Sequence, residues 1–147
     1  MIKETKLAIN NKIKSVFPEM EIQGGNIEEG FLRPTFFTSF SYHKTTKVSD
    51  EIYKKDLTVV IYYFPSDRND YSMEVLEVGE TLEELFLNEL VIEMVDDKRV
   101  VPINSVDLDT VDGVLQVSFD LEIFISKVEA DDNEMMEAIE VSITKEG

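Results

Sequence analysis

The 147-residue chain contains no cysteine, and only five of its 14 Lys and Arg residues lie beyond position 60. Without thiols it can form neither a disulfide framework nor a thiolate metal site. No apolar run approaches the roughly 20 residues that a membrane-spanning helix requires. The N-terminal Met-Ile-Lys-Glu-Thr lacks a signal-peptide core. These absences predict a soluble chain made in a cytoplasm, with no membrane partner. The single histidine, His43, stands among Tyr and Lys at the end of a strand pattern, and no serine carries a nucleophile motif. No acid–base pair is set up around it. Gly24-Gly25 precedes neither a helix nor a Lys-Ser/Thr pair, so it is not a phosphate loop. Asp107-Leu-Asp109-Thr-Val-Asp112-Gly113 has the opening of a calcium loop, but Ser118 stands where a bidentate glutamate is needed. A turn between strands explains it. The sequence is not that of an enzyme, and it implies no cofactor or metal.

What the chain does have is negative charge, unevenly placed. Its net charge is −17. Residues 1–60 hold nine cationic and eight anionic side chains, whereas residues 61–147 hold five against 23. An acidic half of this size does not bind nucleic acid, because phosphate contacts need cations. Two readings of that half stand side by side: a solvated face that confers solubility, and a surface that repels DNA.

Asp56-Leu-Thr-Val-Val-Ile-Tyr-Tyr-Phe-Pro65 is the strongest local signal. Its β-branched and aromatic run has the length of a strand, favours cover on both faces, and ends where proline cannot donate a ladder hydrogen bond. Leu57–Phe64 reads as the central strand of a sheet. Before it, residues 2–17 place Ile2, Ile9, Ile13, Val16 and Phe17 near helical spacing, with Lys3, Lys6, Lys12 and Lys14 elsewhere on the surface. Phe36, Thr38, Phe40 and Tyr42 alternate with Phe37, Ser39, Ser41 and His43, the period of a half-buried strand. Residues 44–55 are polar and predict a solvated hairpin connection.

After Pro65, Asp70 is placed to cap a helix. Tyr71, Val75, Val78, Leu82, Leu85 and Phe86 recur at helical spacing, and Glu74, Glu77, Glu80, Glu83 and Glu84 fill the opposite face. The remainder to Lys127 predicts strands at Leu90–Val95, Arg99–Asp109 and Val114–Ser126. Pro102 marks an edge or bulge, and Asp112-Gly113 makes a tight turn. Asp120, Glu122 and Phe124 share the wet face of the last strand. Residues 129–134 form an acidic linker, and Ile139, Val141 and Ile143 then alternate with polar residues. That final segment either returns to its own sheet or adds to a neighbour's. The expected architecture is α+β: a single, mostly antiparallel sheet of about five or six strands with an N-terminal helix and a central acidic helix packed on it. Residues 1–128 form the domain, and residues 129–147 a linker and strand-like tail.

Three segments within this order are Glu29-Gly-Phe-Leu-Arg-Pro-Thr-Phe-Phe37, Tyr63-Phe-Pro65 and Val111-Asp-Gly-Val-Leu115. With them the chain resembles, over residues 2–143, the tail terminator family of long-tailed phages and of prophages in Gram-positive bacteria. The resemblance implies a structural virion protein at the head-proximal end of the tail, assembled in the host cytoplasm. It implies a homo-hexameric ring that caps the tail tube protein, stops its polymerisation and meets the head-connector protein, with DNA passing through. No catalytic residues come with the family, and Gly30, Pro34 and Gly113 map to scaffold positions. The charge pattern adds an interface or lumen hypothesis on Glu74, Glu77, Glu80, Glu84, Asp131, Asp132, Ile139, Val141 and Ile143. The lysines of the N-terminal half would meet the acidic half of the next subunit. Competing readings are another head–tail joining or completion protein, and an acidic DNA mimic that inhibits a nucleic-acid-binding protein.

Overall fold

The periodic apolar residues at the N-terminus form helix α1 (Ile2–Val16), which buries Thr5, Ile9 and Ile13 along one stripe. Pro18 follows the C-cap residue Phe17 and prevents continuation. The computed structural model describes residues 1–23, 33–67, 69–95 and 97–126. In chain order the other elements are β1 (Glu21–Gln23), β2 (Thr35–Lys47), β3 (Ile52–Phe64), α2 (Ser72–Phe86), β4 (Asn88–Glu93), β5 (Lys98–Ile103), β6 (Asp107–Val111) and β7 (Val114–Ser126). The class is α+β with a mostly antiparallel sheet, as the sequence predicts.

Among the described residues two compact units are present: residues of Met1–His43 with Leu57–Leu121, and Lys44–Asp56 with 122–126. Strands β2, β3 and β7 contribute residues to both. They belong to a five-stranded sheet of order β1-β2-β3-β7-β6, so the apolar run of β3 occupies the middle position. Strand β1 pairs in parallel with β2.

In the first unit, Leu57, Val59, Ile61 and Tyr63 of β3 and Leu115, Val117, Phe119 and Leu121 of β7 are buried. Both helices supply their cover. Thr38 Oγ1 donates to Asn10 Oδ1 of α1 at 3.0 Å, and Phe17 and Tyr63 lie 5.2 and 4.9 Å from the Phe36 ring. Phe86 of α2 stacks on Phe119 at 5.1 Å. A Cβ added to Gly79 would stand 3.1 Å from Leu108 Cδ2 and 3.7 Å from Leu115 Cδ1, so the α2 backbone lies directly on β6 and β7. Each large side chain buried here contributes about 1.5–3 kcal/mol. On the opposite face of β3, Tyr62 is half-buried beside Phe37, 5.9 Å between rings. Thr58 Oγ1 there donates to Asp120 Oδ1 at 2.6 Å. The run is therefore fully covered on one face and half-covered on the other, where full cover of both was expected.

A separate two-stranded sheet also belongs to the first unit. Its antiparallel strands β4 and β5 pair Leu90 with Val101 and Val91 with Val100. Leu90, Ile92, Val101 and Ile103 face the core, while Val91 and Val100 face out. The long strand expected over Arg99–Asp109 is in fact two. Strand β5 stops one residue after Pro102, and Asn104 and Ser105, both turn formers, carry the chain across to β6. The Asp112-Gly113 turn forms as expected, with φ of 52° and 79°. Positive φ at both central residues matches the right-handed twist of the flanking strands.

In the second unit the polar stretch 44–55 is mostly strand. Its turn is short: the N–H groups of Val48 and Ser49 donate to Ile52 O at 2.9 and 3.1 Å, and Ser49 Oγ accepts from Ile52 N at 3.1 Å. Backbone ladder bonds extend the strands regardless of side-chain polarity, which is why alternation did not reveal them. Lys54 lies 3.7 Å from Asp56 and 3.5 Å from Glu122. Glu122 and Phe124 are exposed, as the wet-face reading requires.

Candidate functional site

Helix α2 forms because Val75, Val78, Leu82 and Phe86 recur on one side, and all four are buried with Gly79. The residue that fastens its start is not the one expected. Asp70 does not cap it; the N-cap position is Tyr71, and no side chain makes a capping bond there. Glu74, in the first turn, holds the junction instead. Its Oε2 accepts from Tyr63 Oη, from Ser66 N at 2.9 Å and from Ser66 Oγ at 3.0 Å. A carboxylate in the first turn also meets the positive end of the helix dipole.

Burial alone would raise the Glu74 carboxyl. The hydrogen bonds from Tyr63 and Ser66 outweigh that and hold it below its usual range. The Tyr63 hydroxyl is pushed far up, first by burial and then by its bond to Glu74. Glu74 thus binds the last strand residues of β3 to the first turn of α2. It is a fastening, not a free carboxylate on the outer face.

All three segments that carry the family resemblance meet near this junction. Arg33 Nη1 donates to Pro65 O at 3.2 Å, and its guanidinium stands 5.6 Å from the Phe64 ring centroid. A Cβ on Gly113 would lie 3.1 Å from the Tyr71 ring. Pro34 follows a cis peptide bond; Gly30 lies outside the described residues. The motif residues described build scaffold, as the sequence implies.

The other acidic positions on α2 are available. Glu77, Glu80 and Glu84 are exposed on its outer side. Between and beside them stand Met73 and Leu76, 66% and 64% exposed, which the sequence reading did not single out. Their signal was present: at 100° per residue, positions 73, 76, 77, 80 and 84 fall on one side, opposite the buried stripe. Asp131, Asp132, Ile139, Val141 and Ile143 lie outside the described residues.

On α1 the four lysines separate into two kinds, with Lys6 and Lys12 half-buried and Lys3 and Lys14 exposed. Lys12 Nζ donates to Glu89 O at 2.9 Å and lies 5.8 Å from the Phe86 ring centroid, joining α1 to the end of α2 and to β4. Lys3 and Lys14 are exposed, with Leu7 between them at 57% exposure. Lys14 Nζ donates to Met20 O at 2.9 Å.

Among the described residues, no three His, Asp or Glu side chains gather as metal ligands, and no helix is long and apolar enough to cross a membrane. What the surface offers is contact chemistry: carboxylates and large apolar side chains on one helix, lysines and a leucine on the other.

A family model described as "Phage tail terminator protein" matches residues 4–133. A protein of known structure aligns with 89% of this chain and 99% of its own length at 14% identity, with a TM-score of 0.42, a likeness that carries no argument. No curated protein matches the chain.

Proposed function

This chain belongs to the phage tail terminator family, and we propose that it is the subunit of a six-membered ring that caps the tail tube, stops its polymerisation and provides the surface that joins the head. One observation carries this reading: the family match runs from α1 through the end of β7, so it spans every described element. The proposed partners are further copies of the chain, the tail tube protein and the head connector, all in the virion. The role is structural and needs no catalysis.

The charge supports a second property of the ring. Six copies at −17 each bring about −100 to it, a field that acts on any polyanion in its opening. DNA must pass, and a wall of carboxylates offers it no counterion-releasing contact. The exposed carboxylates Glu77, Glu80 and Glu84 of α2, with Asp131 and Asp132, are divided between subunit contacts and this opening. Ile139, Val141 and Ile143 supply an arm between neighbours.

Light scattering across a concentration series, with and without magnesium, tests the ring. Divalent ions reduce repulsion between carboxylate-rich surfaces at low salt. The expected result is a species of six subunits, appearing alone or on adding magnesium. A stable dimer under every condition would overturn the reading.

A further inference from the structure

The outward stripes of α1 and α2 are complementary in charge, and each exposes apolar side chains beside its charges. On α1, Lys3, Leu7 and Lys14 fall within about 40° of one another around the axis, opposite Ile9 and Ile13. On α2, Met73, Leu76, Glu77 and Glu80 do the same opposite Val78 and Leu82, over about 100°. Leu7, Met73 and Leu76 are each more than half exposed. Met73 and Leu76 are neighbours on α2, an apolar patch rimmed by carboxylates of the kind that takes a single apolar side chain from a partner. One stripe is cationic and the other anionic.

We propose that α1 of one subunit packs antiparallel against α2 of the next, with Leu7 seated on Leu76 and Met73. The inference rests on the ring reading and names the surface that closes the ring. The register follows from helical rise. Lys3 lies four residues from Leu7, and Glu80 lies four from Leu76, so both stand about 6 Å from the apolar contact. With the helices antiparallel, Lys3 meets Glu80; Lys6, half-buried beside Ile13, stays off this contact. Lys14, about 10 Å the other way, reaches the level of Asp70. A parallel arrangement would set Lys3 against Ser72 and Asn11 against Glu80, losing the Lys3–Glu80 pair and keeping only Lys14 level with Glu83. The occupant is a second copy because the two stripes fit each other and both are on this chain. Different patches on the two partners give a head-to-tail contact, the kind that closes into rings. Glu77 and Glu80 then belong to the subunit contact, leaving Glu84 and the acidic linker for the opening.

The absence of cysteine makes the test direct. Leu7→Cys and Leu76→Cys are made as separate full-length variants, mixed and mildly oxidised. The expected product is a covalent pair with one cysteine from each variant, at least tenfold more abundant than the product of either variant alone. Adding Glu80→Lys to the Leu76→Cys chain lowers the yield at least fivefold at low salt. Adding Lys3→Glu to the Leu7→Cys chain then restores it. No mixed product, equal self-pairing of Leu7→Cys, or indifference to the charge exchange would overturn the contact. Six-subunit mass without the mixed product defeats this interface and leaves the ring; mixed product from a protein whose mass never exceeds a dimer defeats the ring and leaves the contact.

Discussion

Replacing Glu74 with Gln removes the charge at the β3–α2 junction while keeping the side chain's size. In the native protein one carboxylate oxygen accepts three hydrogen bonds, from Tyr63 Oη, Ser66 N and Ser66 Oγ. Hydrogen bonds to a charged group contribute about 1.5–3 kcal/mol each when sequestered, and neutral ones about 0.5–1.5. Glu74 is half-exposed and Ser66 is exposed, so solvent screening holds the difference toward the low end. Glu74→Gln should therefore cost about 1–2 kcal/mol at neutral pH, a fall in Tm of about 3–8 °C. Glu74→Ala should cost more, because the Tyr63 hydroxyl, on a side chain only 1% exposed, loses its acceptor.

The pH dependence identifies the cause. The folded carboxyl titrates below its ordinary value of 4.5. Its stabilisation is complete above that value and is lost as pH falls below it. Thermal or urea unfolding of wild type and Glu74→Gln from pH 3 to 8 should show a constant gap above about pH 5 that narrows in acid. Tyr63 acts in the opposite direction: with its hydroxyl titrating above the ordinary 10.0, its contribution is intact below pH 10 and fades above. A gap between the two proteins that is absent at pH 7, or equally large at pH 3, would refute the reasoning.

Gly113→Ala should destabilise by about 1–3 kcal/mol, because φ is 79° there and the new Cβ meets the Tyr71 ring; denaturant midpoints with an unchanged slope would measure it. Phe86→Ala removes a fully buried ring stacked on Phe119 and should cost about 3–5 kcal/mol, read by calorimetry. Lys12→Ala loses the bond to Glu89 O and the cation over Phe86, with an expected cost of about 0.5–1.5 kcal/mol by urea titration.

The parts of this fold legible in the sequence are those where burial imposes a period. Helix α1, helix α2 and the β7 strand each alternate apolar and polar residues at the spacing of their own backbone, and β3 is too apolar to lie anywhere but inside. The Asp112-Gly113 turn was legible for a different reason, since its backbone angles exclude most other residues. What escaped were features without periodicity. Lys44–Lys47 and Ile52–Lys55 form strand without a buried apolar stripe, held by the backbone ladder and by polar cross-strand contacts such as Lys55 with Thr45, so their polar side chains suggested a loop. The division of Arg99–Asp109 between two sheets depends on where strands find partners, which local pattern does not encode. Glu74 has the same residue type as Glu77 and Glu80, and only the arrival of Tyr63 beside it makes it structural. Met73 and Leu76 were legible by the same helical count, on the glutamate side opposite the apolar stripe, and were passed over because the charges drew the reading.

Among the described residues, strand β6 lies at one edge of the five-stranded sheet, and all five of its residues are exposed. The rim of a sheet is a template: its spare amide and carbonyl groups invite another chain to pair, and that chain another, without limit. Asp107 and Asp109 stand on this rim, so a second copy laid against it would bring aspartates face to face in either direction. Runaway fibre growth through β6 is therefore electrostatically opposed. In the proposed role as the cap of a growing tube, the chain carries, on its own margin, a guard against growing without end itself.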